Sequence, residues 1–434
     1  MSEHALPLPT TGAPGPARPA ATPRPARASR LARLARHAVL SRLSRLHDGE
    51  LELLEGGARW RFGRPAADGL RAAVRVEKPS LWLDLALRGH LGAADAFADG
   101  AFACDDLAAL VRLFVRHPAV MDGLETGPAR LVAPALALGH ALRRNTRAGA
   151  RRNIAAHYDL GNEFYAHFLD PTLTYSAATF ERDDLTLEEA QLAKIDRLCR
   201  KLGLGPEDHL LEIGTGWGAF AVRAAQRFGC RVTTTTLSRE QARLARERVR
   251  AAGLEARVRV LEEDYRDLRG TYSHLVSVEM IEAVGHQYLE TFFRACAERL
   301  APDGIAALQA ITIADQRYER ARRSVDFIKQ AIFPGSCIPS VTALLAAATR
   351  ASDLRLFHLE DQTPHYARTL GLWRERFLAN RTAIRGLGYP EPFLRTWEMY
   401  LAYCEGGFAE RHIGSVQMVW TKPGCRRAPL LGAL

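Results

Sequence analysis

No apolar run in this 434-residue chain approaches the ~18 residues that a membrane-spanning helix requires, because charge, proline or glycine interrupts every candidate. A soluble or peripheral protein is therefore expected. Cysteine is sparse: the seven are odd in number and scattered without metal-ligand spacing, which suits reduced thiols in a cytoplasm and predicts no metal site. Residues 1–28 have almost no large apolar side chains and are rich in Pro, Ala and Arg, so they cannot pack a core and are expected to be disordered. The same prolines spoil an amphipathic transit helix, and no signal-type apolar region is present. Acids are missing between Glu125 and Asp159, a span that carries Arg143, Arg144, Arg147, Arg151 and Arg152. The formal net charge of +10 favours acidic partners. Aromatics are not interleaved in the Arg-rich runs, which argues against nucleic acid as that partner.

Apolar residues make up 47% of the chain, enough for substantial cores, and the length leaves room for two domains. Ser29 to Leu46 reads as a helix with Leu31, Leu34, Leu40, Leu43 and Leu46 set among Arg30, Arg33, Arg36, Arg42 and Arg45. It either packs on its own domain with the arginines solvated or lies on an anionic membrane. Strand-like pieces follow at Leu51–Leu54, Arg59–Phe62 and Ala73–Val76, then helical patterns around Leu81–Leu91 and Leu107–Val115. Residues 29–130 are thus expected to form a small α+β domain, in which no catalytic constellation is found. Residues 131–152 read as a basic helical linker, whose arginines form either a solvated face or a site for phosphate headgroups.

From residue 153 to 434 the pattern alternates. Strands are expected at Leu210–Ile213, Arg231–Thr236, Val258–Glu262, His274–Val278, Gly304–Ile313 and Ser415–Thr421. Helices are expected at Leu187–Lys201, Ala219–Phe228, Arg239–Ala252 and Tyr288–Leu300. Such alternation predicts a mostly parallel, doubly wound α/β sheet with ligands at the carboxyl ends of its strands. The run Leu210 to Ala225, LLEIGTGWGAFAVRAA, is strand, Gly-rich turn and helix in direct succession. Its glycines, Gly214, Gly216 and Gly218, let backbone approach a ligand, and a helix N-terminus follows. Nucleotide-type cofactors of several kinds use that motif. Glu212, an acid inside the strand, tips the choice: it would repel a pyrophosphate but would pair with an amino group such as that of S-adenosylmethionine. The second strand also ends in threonines rather than in the acid that an NAD ribose needs.

Upstream of the glycines stands His157-Tyr158-Asp159-Leu160-Gly161-Asn162-Glu163-Phe164-Tyr165, then Leu169-Asp170-Pro171 and Thr174-Tyr175-Ser176. Downstream come Asp264-Tyr265-Arg266-Asp267, Ser277-Val278-Glu279-Met280-Ile281-Glu282, Tyr288, Ile332-Phe333-Pro334-Gly335, Pro339-Ser340 and Tyr366. From about residue 153 to 422 this series resembles the cyclopropane-fatty-acyl-phospholipid synthase family, which includes the mycolic acid cyclopropane synthases. The resemblance implies a Rossmann-like methyltransferase sheet with helical lipid-side additions. It also implies methyl transfer from S-adenosylmethionine to a cis double bond of a phospholipid acyl chain. The expected location is cytoplasmic, peripherally associated with the inner face of an anionic membrane, and a homodimer is left open. By the same resemblance Tyr158, Tyr175 and Ser176 close over the cofactor, and Gly214 and Gly216 lie beneath its methionine part. Thr236, Leu237 and Gln241 hold the ribose, and Tyr265 stacks near the adenine.

Methylating an alkene leaves a carbocation that must be shielded from water and then deprotonated. In the family a bicarbonate ion, held by Cys, Glu, His, Tyr and a backbone group, is assigned that task. Here Glu282 and Tyr366 match the Glu and Tyr, but Ala177 stands where the Cys is expected and Ala310 where the His is expected. Ala283 replaces the His that commonly follows the Glu, and Glu279 occupies a position usually held by Gly. These departures count against a bicarbonate pocket and suggest that a protein carboxylate replaces the ion. Two carboxyls so close should repel, leaving one protonated with a raised pKa. Glu279 alternatively faces solvent or pairs with an arginine. Two other readings stay open: a small-molecule N- or C-methyltransferase, and a catalytically inactive lipid-binding scaffold.

Overall fold

The computed structural model describes residues 30–124 and 160–430. The expected tail, Tyr158 and the arginines of the 131–152 linker lie outside the described residues.

The first elements are a helix, Arg30–Leu43, and the strands β1 (Gly49–Glu55), β2 (Ala58–Arg64) and β3 (Arg71–Val76). A helix at Ser80–Ala98, β4 (Phe102–Cys104) and a helix at Leu107–Arg116 complete the unit. The sheet runs β2-β1-β3-β4, with β1 antiparallel to β2 and parallel to β3. Strand alternation explains its two faces: Leu51 and Leu53 point inward while Glu50 and Glu52 point out. Asp106 starts the helix at Leu107 by accepting hydrogen bonds from the amides of Ala108 and Ala109. The inner face of this unit joins Trp397, Leu401 and Phe408 of a late helix, Glu391–Ala409, in one continuous core. At the crossing a Cβ on Gly406 would lie 2.7 Å from Val111 Cγ1 and 3.1 Å from the Ala108 carbonyl. Only glycine allows that approach.

The larger sheet has seven strands in the order β10-β11-β9-β8-β5-β6-β7. Its strands are β5 (His209–Ile213), β6 (Arg231–Thr235), β7 (Val258–Leu261), β8 (Tyr272–Val278), β9 (Leu300–Ile313), β10 (Arg355–Asp361) and β11 (Ile413–Thr421). Pairing is parallel from β7 through β9 and antiparallel across β9-β11-β10. Successive residues of β5 enter different cores: Leu210 packs with Phe220 and Ile195, Leu211 with Phe293 and Leu344. The helix Leu187–Leu202 is fixed at both ends, by a Thr186–Glu189 capping box and by Gly203 in the left-handed conformation. Chain order reverses at β5, so the crevice at the carboxyl ends of β5 and β8 is the sheet's switch point. The doubly wound architecture expected from the alternation is thus present, with β10 as an additional edge strand that the alternation did not indicate. Its residues, RLFHLED, are only partly buried and show no clean apolar stripe.

Candidate active site

The turn after β5 is held by its neighbour strand, since the amides of Gly214 and Thr215 both donate to the Thr235 carbonyl, at 3.0 and 3.1 Å. Gly214 has φ +106 and Gly216 φ +51, and beyond Gly216 nothing lies within 4 Å of where a Cβ would stand. That open space at the end of β5 is a cradle for a ligand. Beside it Glu212 is buried, and one of its oxygens, Oε2, has no partner in the protein. Burial pushes its pKa up to about 8, against a hydrogen bond from Thr234 and the charge of Lys194. A buried acid with an unfilled acceptor suits a ligand ammonium. At the end of β6 the Thr236 hydroxyl donates to Gln241 Oε1 at 2.9 Å, with the half-buried Leu237 between them in sequence. After β7, Tyr265 meets the Phe292 ring edge-on at 5.6 Å and lies under the Arg266 guanidinium at 5.5 Å. These residues fit the methionine, ribose and adenine parts of S-adenosylmethionine. Among the described residues no group of three or more His, Cys, Asp or Glu could hold a metal ion.

A second constellation lies just past β8. Glu279 adopts φ +49, a conformation uncommon outside glycine, and its amide donates to the Gln309 carbonyl of β9. That backbone turns the carboxylate inward. Its Oε1 accepts from the Ala177 amide and from Gln309 Nε2, each at 2.9 Å, and its Oε2 accepts from the Tyr366 hydroxyl at 2.6 Å. Glu279 therefore neither projects into bulk solvent nor pairs with an arginine. Glu282 is buried nearby, with Oε1 accepting from the Ile311 amide and Oε2 unpartnered. Burial first, and then the charge of Glu279, push the Glu282 pKa up to about 8. Glu279 is also raised by burial, but the bonds from Tyr366, Gln309 and Ala177 and the charge of Lys194 pull it back. Tyr366 stays protonated, because burial and the adjacent Glu279 hold its pKa well above the usual phenol value.

Aromatic rings wall this region. Tyr175 lies 5.3 Å from Trp373 and 5.4 Å from Tyr165, and its hydroxyl shares a 2.7 Å hydrogen bond with that of Tyr400. Tyr366 stacks on Phe408 at 4.2 Å. Ring faces shield and stabilise a developing cation while excluding water.

The expectation at Ala310 needs correction. Its side chain is fully buried in the core on the other face of β9, with Leu308 and Phe293, so no group at 310 could reach the carboxyls. Strand alternation makes Gln309 the β9 side chain that reaches Glu279. The sequence reading also passed over Gln191 and Lys194. Both are buried in the helix Leu187–Leu202, where Gln191 Nε2 donates to the Ser176 carbonyl and Lys194 Nζ to Ser176 Oγ at 2.6 Å. The signal was available: they share the inward face with Leu187 and Leu198, where a polar residue is costly.

A glycine cradle beside a buried acid, at the switch point of a seven-stranded sheet, defines an S-adenosylmethionine-dependent methyltransferase. The family described as mycolic acid cyclopropane synthetase matches residues 145–418, and the chain belongs to that family. Tuberculostearic acid methyltransferase UfaA1 of Mycobacterium tuberculosis is 46% identical over 286 residues, covering 64% of this chain. The match spans 66% of that relative's length, just under two thirds. Cyclopropane-fatty-acyl-phospholipid synthase of Escherichia coli is 34% identical over 354 residues, covering 81% of this chain and 88% of its own, and so extends well before residue 145. The crystal structure of mycolic acid cyclopropane synthase CmaA1 complexed with SAH and CTAB superposes with a TM-score of 0.60 at 35% identity, covering 63% of this chain and 98% of that one.

Proposed function

We propose that this chain methylates a cis double bond in an unsaturated acyl chain of a membrane phospholipid, with Glu279 as the base. The observation that carries the reading is the carboxylate of Glu279, set among Tyr366, Gln309 and the Ala177 amide beside an aromatic wall. S-adenosylmethionine, when bound, supplies a methyl group activated by its sulfonium. The residues of the chain then do the rest. Tyr175, Trp373 and Tyr366 exclude water from the carbocation left on the acyl chain, and the Glu279 carboxylate accepts its proton. The electron pair of the broken C–H bond stays on carbon. If the proton leaves the new methyl group the pair closes a cyclopropane; if a hydride shifts first the pair forms a double bond, giving a methylene group or a methyl-bearing alkene. Glu282, held neutral by burial, adds no second negative charge at neutral pH. Nothing in this sequence of steps needs bicarbonate.

The phospholipid substrate is supported by the E. coli relative, whose match extends into the N-terminal unit. It is also supported by the helix Arg30–Leu43, where Leu31 and Leu34 are each 68% exposed among Arg30, Arg33 and Arg36. In this reading residues 29–130 face an anionic membrane on its inner side and 131–152 form a basic link to the methyltransferase domain. Expression in a bacterium lacking lipid methylation, with mass spectrometry of its fatty acid methyl esters, tests the substrate and identifies the product. Glu279→Gln should retain cofactor affinity and lose ~10²-fold or more in turnover, the scale of a missing general base. Full activity of that variant, or strict dependence on added bicarbonate, would overturn the assignment.

A further inference from the structure

Lys194 is among the largest fully buried side chains of the protein, with 1% of its surface exposed. Among the described residues no carboxylate approaches its ammonium closely enough to form an ion pair; it donates a hydrogen bond to Ser176 Oγ at 2.6 Å. Three acids from three different elements nevertheless act on it electrostatically: Glu279 after β8, Asp170 in the loop before the Tyr175 segment, and Glu212 in β5. Burying an ammonium without a direct counter-ion costs several kcal/mol. A helix capped at both ends holds it in that position all the same.

The connection to Glu279 is short. Lys194 and Gln191 grip Ser176 by its hydroxyl and its carbonyl. The next residue, Ala177, donates its amide to Glu279 and accepts Gln309 Nε2 at its own carbonyl. The segment from Tyr175 to Ala177 is thus clamped from the helix side and presents a donor on the site side. Glu279 faces Tyr366, Gln309, Glu282 and Lys194, and Lys194 is the one cation among them.

We infer that Lys194 is a positioning residue: through Ser176 it holds the Tyr175–Ala177 segment against Glu279, so that the Ala177 amide stays bonded to the carboxylate that takes the proton. The inference rests on the reading of Glu279 as base. Without that grip the Ala177 amide is free to leave Glu279, and the lost donor together with the lost positive charge shifts the carboxyl toward its protonated form, which cannot take a proton. The cation is linked to the carboxylate only through Ser176 and the Ala177 amide, so it supports the carboxylate without forming the close pair that would make the base inert.

Two measurements on the full-length chain test this. In the first, turnover of wild type and Lys194→Met is followed from pH 5.5 to 9.5 on vesicles of unsaturated phospholipid, with S-adenosylmethionine affinity measured by calorimetry. The acidic limb of the profile should move up by at least ~1 pH unit, so that turnover falls ~10-fold at pH 7 and recovers at high pH, with affinity little changed. A uniform loss at every pH with the limb unmoved would make Lys194 a structural residue and overturn the inference. The second needs no variant of the lysine: infrared difference spectra of wild type against Glu279→Gln read the carboxyl directly. An ionised Glu279 at pH 7.5 is expected, and a protonated band there would overturn the inference even if Lys194→Met fails to fold. Failure of the base assignment looks different: Glu279→Gln would remain fully active whatever the infrared spectrum shows.

Discussion

At the scale of single residues, the site is built from backbone conformations that most side chains avoid. Gly214 has φ +106, and a Cβ there would lie 3.5 Å from Met280, so the space is tolerable but the dihedral is not. Gly214→Val should therefore distort the turn and abolish S-adenosylmethionine binding; calorimetric titration with unchanged affinity would contradict the cofactor site. The buried acids give a second expectation. Glu212 and Glu282 have pKa values raised to about 8 by burial, so between the unfolded value near 4.5 and about 8 the native state binds more protons than the unfolded state. These two groups make stability fall as pH rises through that window, against His209, His274, His358, His365 and His412, whose pKa values burial lowers from 6.5 and which act in the opposite sense below that value. Lys194, lowered to about 8 from 10.5, acts in the opposite sense only above that value. The ligand-free protein should thus melt at a lower temperature at pH 8 than at pH 6.5, and Glu282→Gln should flatten the slope by an amount on the order of a few kcal/mol. A Glu282→Gln slope as steep as wild type would show that Glu282 is ionised at neutral pH. Which side chains take part was partly legible. Glu282 and Tyr366 were readable as matches to a motif and Glu279 as a departure from it, whereas Gln309 was hidden by a one-residue ambiguity in a strand, where a single step reverses the face.

At the scale of elements, the helices Leu107–Arg116 and Glu391–Ala409 are closely coupled. Their backbones meet at Gly406, and Arg112 and Arg116 reach across to Glu410 at 2.7 and 2.9 Å. Burial alone would raise the Glu410 pKa, but bonds from Arg116 and Arg112 outweigh it and hold the carboxylate ionised. Gly406→Ala would drive a methyl group into Val111 and the Ala108 carbonyl, and overpacking of this kind costs about 1–3 kcal/mol. The melting temperature should drop by roughly 2–4 °C for each kcal/mol lost. Because the same helix supplies Phe408 to Tyr366 and Tyr400 to Tyr175, turnover should fall with it, and a variant with wild-type stability would show that the helices can separate at no cost. Element prediction from periodicity worked where the pattern was strong, as in β5, β6 and the helix Ala219–Phe228. It passed over β10, because a half-exposed edge strand borrows its order from β11 rather than from an apolar stripe of its own.

At the scale of the whole molecule, no described helix is long and apolar enough to cross a membrane, and the proposed phospholipid substrate calls for a surface that meets the lipid. The exposed Leu31 and Leu34 beside Arg30 and Arg33 provide one such surface. Binding to anionic vesicles should weaken as salt rises, since exposed charges are screened over ~10 Å at 0.1 M. Equal binding to neutral and anionic vesicles at low salt would remove the electrostatic part of the proposal.

By itself the sequence determined the doubly wound alternation, the glycine turn and the choice of S-adenosylmethionine over a dinucleotide, because these follow from local periodicity, glycine conformations and the sign of one buried charge. Tertiary structure alone decided how Glu279 is held. The Ala177 amide and Glu279 are 102 positions apart, Tyr366 and Glu279 are 87, and no local pattern relates them. They meet because β8 pairs with β9, and because the helix Thr363–Ala379, which carries Tyr366, packs against β11, the strand next to β9. Such contacts depend on which faces are brought together, a property of the packed elements and not of any one stretch of chain.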